Sequence, residues 1–252
     1  MSKSDMLSTI RKALNGDPDR ASRPADLNAL PALGRVLPTI EQADLVSRFE
    51  QELDRVGASA HRVMTRSGVR ELLGRILEGD RASGVVLSRN PLLDRLDLGS
   101  ILKDLSIPAW SWPATPNLAG GQKGDPAAPG SPTYRDRCFS AAAGITGVEF
   151  VLAESGSLVL TSAAEGAQLS SLAPPIHVAF YLRSQVVGAL EDVLEGLASF
   201  GAGSPELDGR SIVMITGTSR TADIEQILIR GVHGPRELHA ILVEESCLTA
   251  AD

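Results

Sequence analysis

The chain is short of sulfur, of aromatic rings and of positive charge, and each shortage removes a class of function. Two cysteines, Cys138 and Cys247, stand among 252 residues; they form no CxxC pair and cannot frame a disulfide scaffold. An iron-sulfur cluster takes four thiolates, so two cannot hold one within a single chain. The four histidines, His61, His177, His233 and His239, make no HxxxH pair with zinc-ligand spacing. No metal and no cofactor is therefore expected on this chain. Aromatic residues make up only 4% of it, which leaves the core to aliphatic packing. Lys and Arg number 24 against 31 Asp and Glu, a formal net charge of -7, with no concentrated basic run. A phosphate-backbone partner asks for the opposite, so nucleic acid is not expected. No stretch approaches the ~18 to 20 apolar residues that span a bilayer. The N-terminus MSKSDMLSTIRKALNG sets Met6, Leu7, Ile10 and Leu14 at helical spacing among charges, without the unbroken apolar centre of a signal peptide. The expected setting is a reducing cytoplasm with no membrane contact.

What is present is the composition of an ordinary globular protein, 43% apolar and 22% charged. After the N-terminal helix, Gly16 to Pro38 carries four prolines and reads as an arm or linker, so residues 1–38 are set apart from an α/β domain over 39–252. From there the pattern alternates. EQADLVSRFEQELDRVG puts Leu45, Val46, Phe49 and Leu53 on one helical face, with Gly57 as the stop. A short run AHRVMT leads to a second helix, SGVRELLGRILEGD, with Ser67 as its cap and Val69, Leu72, Leu73 and Ile76 inward. GVVLS then reads as a strand, PLLDRLDLGSILKDL as helical and IPAWSW as a strand. Such β-α-β steps predict a mostly parallel sheet with helices on both faces, a three-layer α/β/α fold with an N-terminal helical arm. Residues 113–133 read as a flexible loop, since Pro113 to Pro132 holds nine Gly or Pro in twenty positions.

Three segments carry candidate chemistry. GITGVEFVLAESGSLVLTS reads as a hairpin whose turn is Glu154-Ser155-Gly156-Ser157. Glu154 is thereby placed at the end of a buried strand, as an acid, base or nucleophile, or else as an acceptor for turn amides. SSLAPPIHVAFYL sets His177 just after a diproline, at the start of a strand over Ile176 to Leu182, and VVGALEDVLEGLASF follows as an amphipathic helix. In SIVMITGTSRTADIEQILIRGVHGP, Ile212 to Ile215 reads as a buried strand, Thr216 to Arg220 as a loop and Thr221 to Arg230 as a helix. A β-α-β unit of that kind would hold Thr216, Gly217, Thr218, Ser219, Arg220 and Thr221 at the carboxyl edge of the sheet, with free helix N–H groups. Four hydroxyls, one guanidinium and those donors suit a small carboxylate or phosphate. Ordinary capping by Ser219 or Thr221, with Asp223 and Glu225 offsetting the dipole, is the other reading.

The blocks GITGVEFVLAESGSLVLTS, SLAPPIHVAF and ITGTSRTADIEQILIRGVHGPRELHAILV resemble the lactate-utilization (LUD) domain family, in its LutC branch, also called YkgG-like. The resemblance is dense over Ala141 to Val243. It implies a fold similar to the glucosamine-phosphate deaminase, ribose-phosphate isomerase and CoA-transferase group. It also implies action with two iron-sulfur partner proteins in oxidising L-lactate to pyruvate in bacteria, this chain being a non-cluster subunit or accessory protein. Glu154-Ser155-Gly156 is similar to the E-x-G turn that carries the nucleophile of CoA transferases, a likeness at the level of the fold. An independent enzyme acting on a carboxylate or phosphate ligand, with Glu154 and Arg220 at its centre and His177 or His233 moving protons, is the alternative.

Overall fold

The structure is a computed structural model, and it describes residues 5, 44–79, 83–112, 132–201, 211–222, 228–231 and 233–249. By its internal contacts the chain divides into Met1–Pro38 and Thr39–Asp252. The first unit holds one described residue, so the expected N-terminal helix lies outside the described residues, as does most of the loop 113–133. The architecture below is that of the second unit.

Helix α1 (Leu45–Arg55) buries the four side chains that its periodicity selects, Leu45, Val46, Phe49 and Leu53. Full burial of four such groups contributes roughly 6–12 kcal/mol before chain entropy is counted. Strand β1 (Ser59–Val63) follows, then α2 (Arg66–Ile76), capped not by Ser67 but by Thr65, whose Oγ1 accepts from the Gly68 N–H. Ser67 lies within the first turn because Thr65 alone has the extended backbone that a cap needs. Beyond β2 (Val85–Leu87) the segment expected as one helix breaks into α3 (Pro91–Arg95) and α4 (Leu98–Asp104), the break falling at Asp97 with φ 52°. Then come β3 (Ala109–Ser111), α5 (Tyr134–Ser140), β4 (Ala143–Thr146), the hairpin β5 (Phe150–Leu152) and β6 (Ser157–Thr161), and the short helices α6 (Ser162–Glu165) and α7 (Leu169–Leu172). Strand β7 (Ile176–Leu182) starts directly after the diproline, as expected. The remainder is β8 (Val186–Val187), α8 (Leu190–Gly201), β9 (Ile212–Thr216), β10 (Arg220–Ala222), β11 (Leu228–Arg230), β12 (Glu237–Val243) and α9 (Ser246–Thr249).

Six strands form one parallel sheet in the order β1-β12-β7-β4-β2-β3. One face, with Val85, Ile145, Val178, Phe180 and Ile241, is covered by α2, α3 and α4. The other carries Ala179, Tyr181, Ala240 and Leu242 against α1 and a second sheet, while α5 covers Val86 through Tyr134 and Cys138. The three-layer α/β/α arrangement is as the alternation predicts. The second sheet, β8-β5-β6-β9, is mixed, and along the chain its strands are interleaved with the first sheet: β5 and β6 fall between β4 and β7, β8 and β9 between β7 and β12.

Two expectations fail here. Strand β9 is not a buried member of the parallel sheet: it pairs antiparallel with β6 at the edge of the second sheet, with Ile212 50% and Met214 47% exposed. The segment Thr221–Arg230 is not a helix, because Arg220 to Ala222 and Leu228 to Arg230 pair as antiparallel strands; residues 223–227 lie outside the described residues. Spacing of Ile224, Ile227 and Leu228 fits a helix, but so short a run also fits strands, and cross-strand pairing decides.

Candidate functional site

The turn that follows β5 and the loop that follows β9 lie side by side, since β6 and β9 pair in register with Ser157 opposite Thr216. Their hydroxyls form a chain, Ser155 Oγ to Ser157 Oγ at 2.8 Å and Ser157 Oγ to Thr216 Oγ1 at 2.6 Å. Both segments press on the end of α1. Gly156, at φ 65°, has the Leu53 nitrogen 2.5 Å from where a Cβ would stand, and Gly217, at φ 80°, has the Val56 carbonyl oxygen at the same distance. Only glycine combines that backbone with so close an approach. Arg220 donates from Nη2 to the Val56 carbonyl at 2.7 Å. Thr218 is buried, its Oγ1 lacking a hydrogen-bond partner among the described residues. Ser219 is tied through its backbone to Pro235 and Gly231, and Thr221 stands opposite Ile229 in the β10–β11 hairpin. Gly156, Thr216, Gly217 and Arg220 are thus brought together around α1. They do not stand at a helix N-terminus, because the helix that would have supplied free N–H groups is absent from the described part of that segment.

Glu154 ends up at the half-buried tip of β5. Its N–H donates to Gly188 at 3.1 Å and its Oε1 accepts from the Leu190 N–H at 2.8 Å. Leu190 opens α8, so the carboxylate satisfies one of the orphan donors of that helix and offsets its dipole. His177 is fully buried in the parallel sheet, its Nε2 2.9 Å from Thr146 Oγ1 and its Nδ1 without a hydrogen-bond partner among the described residues. Burial pushes its pKa down to about 3, with the nearby His239 adding to the effect, so the ring is neutral at physiological pH. His233 is exposed, in the turn that precedes β12. No hydrogen bond links either histidine to Glu154 among the described residues. His61 and His239, given no role by the sequence, are stacked across β1 and β12 with Nε2 and Nδ1 3.0 Å apart. Burial lowers the pKa of both, and the neighbouring His239 lowers that of His61 further.

A second constellation has no counterpart in the sequence reading. The chain leaves β2 for β3 on one side and returns to β4 on the other, so the order of the parallel sheet reverses between β2 and β4. Open α/β sheets bind ligands outside the carboxyl ends of the strands at such a reversal. There Ser88 and Asn90 follow β2, Gly147 follows β4, and Glu165, at the end of α6 and 0% exposed, stands between them. Its Oε2 accepts from the Ser88 hydroxyl and from the Gly147 N–H at 3.1 Å, and its Oε1 accepts from the Asn90 amide. Asn90 in turn caps α3 by accepting from the Leu92 N–H. Arg89 reaches the same turn, donating from Nη2 to the Ala163 carbonyl at 2.6 Å. Burial raises the pKa of Glu165 against the pull of those three donors, and the charge of Glu149 adds to the rise. Glu149, half-buried and accepting from Thr161 Oγ1 at 3.3 Å, is also raised by burial. Two carboxyl groups whose pKa values are raised by burial therefore share one edge of the sheet. Among the described residues no group of three His, Cys, Asp or Glu side chains is placed to hold a metal ion.

Nothing local marks Glu165. It lies in TSAAEGAQ, which reads as a surface acid in a short helix, and its partners come from positions 88, 90 and 147.

The family model described as LUD domain matches residues 46–243. A Deinococcus radiodurans protein named Lactate utilization protein C is 29% identical over 244 residues, 96% of this chain and 95% of that one. The Bacillus subtilis protein of the same name is 31% identical over 168 residues, 64% of this chain and 62% of its own. Against some other curated relatives the chain spans about half of their length. Among solved structures, a DUF162 family protein from Deinococcus radiodurans is similar with a TM-score of 0.53 at 20% identity, covering 81% of this chain and 99% of that one.

Proposed function

Since the chain belongs to the LUD domain family, we propose that it is a component of a bacterial L-lactate utilization system, the non-cluster subunit or accessory protein beside iron-sulfur partners that oxidise L-lactate to pyruvate. The observation that carries this reading is the near end-to-end match to a protein named Lactate utilization protein C. The thiol inventory supports the division of labour. Cys138 and Cys247 are both buried, and they sit in separate parts of the core, one against Tyr134 and one beneath the parallel sheet. Burial lifts the Cys138 thiol to about 11, which makes it inert as a ligand or nucleophile near neutrality. Electron carriers in such a system would then reside on the partners.

A small carboxylate handled by this chain has two places to bind. One is the set Glu154, Thr216, Gly217, Thr218, Ser219, Arg220 and Thr221, in which Arg220 would exchange its bond to Val56 for the ligand. The other is the carboxyl edge of β2 and β4, beside the half-buried Glu149. The test is genetic and biochemical. Deleting the gene from its source should abolish growth on L-lactate while growth on pyruvate persists, and the tagged chain should co-purify with iron-sulfur proteins that catalyse lactate-dependent dye reduction. Normal growth of the deletion strain on L-lactate would refute the assignment.

A further inference from the structure

Among the described residues, part of the outer face of the second sheet is uncovered. Helix α8 runs over β5, anchored at one end by the Leu190 N–H on Glu154 and crossing Phe150 at Gly196, where a Cβ would stand 2.6 Å from the ring. Val193 and Leu197 point down from it onto Phe150, Leu152 and Val159. Because Val159 is opposite both Phe150 and Met214, Met214 lies on that same face, and so does Ile212, two residues along β9. Among the described residues no helix covers those two. At 3.6 residues per turn Leu190 and then Leu194 follow Val193 and Leu197 around to one flank of α8, and since α8 runs opposite to β5 with β6 on that flank's side, they face the same opening. The four are 39% (Leu190), 57% (Leu194), 50% (Ile212) and 47% (Met214) exposed. Four large apolar side chains around one channel are not the scattered single exposures that every surface shows.

We propose that this channel is the docking site of an amphipathic helix from a partner protein, with an apolar stripe flanked by Lys or Arg. A helix is the shape that covers a sheet face beside a packed helix, at the usual separation of roughly 8–10 Å. Its charge follows from the rim: α8 carries Glu191 and Glu195 beside the two leucines, and neither α8 nor β9 contains a basic residue. A second copy of this chain would set the same acidic rim against itself across a two-fold axis. The hydroxyls of Ser157 and Thr216 close one end of the channel, so part of what the sequence marks as a ligand site borders a protein-binding face. The inference stands apart from the lactate assignment, since the face exists whatever the reaction.

The probe is a fluorescein-labelled helical peptide of about sixteen residues, with Leu at i, i+3 and i+4 and Lys on the flanks, titrated against the full chain by anisotropy. A matched peptide with Glu for Lys serves as comparison. The Lys peptide is expected to bind at least about tenfold more tightly than the Glu peptide. Leu194→Ser/Met214→Ser should weaken it by about tenfold or more, while Phe139→Ser, exposed elsewhere, should leave it unchanged. Far-ultraviolet dichroism of the variants checks that they are folded. No binding of the Lys peptide, or equal binding by the double variant, overturns the proposal. So does a dimer in sedimentation that Leu194→Ser dissociates, which would make the occupant a second copy. A rise in peptide affinity on Ile10→Asp would assign the channel to the chain's own N-terminal segment and overturn it equally.

Discussion

Replacing Glu165 tests whether the buried acid is what fastens the ends of β2 and β4 together. Glu165→Ala removes the acceptor of three buried donors, the Ser88 hydroxyl, the Asn90 amide and the Gly147 N–H. An unsatisfied buried donor costs about 1–3 kcal/mol, a gross loss of roughly 3–9 kcal/mol. Relief from burying a carboxyl group offsets part of it, which leaves about 3–5 kcal/mol. For a chain of this size that is a fall of roughly 6–20 °C in Tm. Glu165→Gln can keep its amide oxygen on Ser88 and Gly147 and turns its NH2 toward one donor, the Asn90 amide, so about 1–2 kcal/mol is expected. The pH dependence separates this account from a generic cavity. The folded pKa of Glu165 is raised, so the folded protein binds this proton more tightly than the unfolded chain does. Wild-type stability from this group is then fully present below the ordinary carboxylate range and falls as pH rises toward the folded pKa. Gln cannot ionise, so the gap between wild type and Glu165→Gln should be wider at pH 5 than at pH 8, read as urea midpoints. A loss under about 1 kcal/mol for Glu165→Ala, or a gap that does not change with pH, would refute the reasoning.

Other perturbations follow from the same contacts. His177 has its pKa depressed to about 3 against about 6.5 unfolded, so the unfolded chain takes the proton first and stability is lost as pH falls below about 6.5. At pH 5 the loss from this group is about 2 kcal/mol, and His177→Gln should remove that share of the slope in urea titrations at pH 7.5 and 5. Gly217→Ala forces a Cβ onto the Val56 carbonyl at positive φ and should cost about 2–3 kcal/mol, seen as a lower Tm. Arg220→Ala loses an exposed bond to Val56, worth about 0.5–1.5 kcal/mol. Calorimetric titration of lactate, pyruvate and phosphate into wild type and this variant shows whether Arg220 also holds an anion, since equal heats would leave it a fastening.

Much of the fold is legible along the chain because its elements announce themselves locally. The spacing of Leu45, Val46, Phe49 and Leu53 marks α1 and its buried face, the diproline marks the start of β7, and Glu154 to Ser157 mark the turn between β5 and β6. Each is a property of a few adjacent residues: a helical period, a missing N–H, a turn composition. The candidate site is less legible. The sequence marks Gly156, Gly217 and Arg220 as parts of a ligand pocket, whereas in the structure all three close on α1 through Leu53 and Val56.

The sequence by itself determined that the chain builds a parallel sheet between helical layers, that it lacks the thiols for a cluster, and where most elements begin. Only the tertiary structure decided which sheet each strand joins. The run IVMIT is apolar enough to lie at the centre of a parallel sheet, yet it pairs with a hairpin more than fifty residues earlier and lies at an edge. Tertiary structure also decided the standing of Glu165. An acid next to a glycine is ordinary on a surface, and it becomes the buried centre of a network only because two distant segments, the loops after β2 and β4, bring three donors to it. Pairing and burial are set by contacts across long stretches of chain, and no local period encodes them.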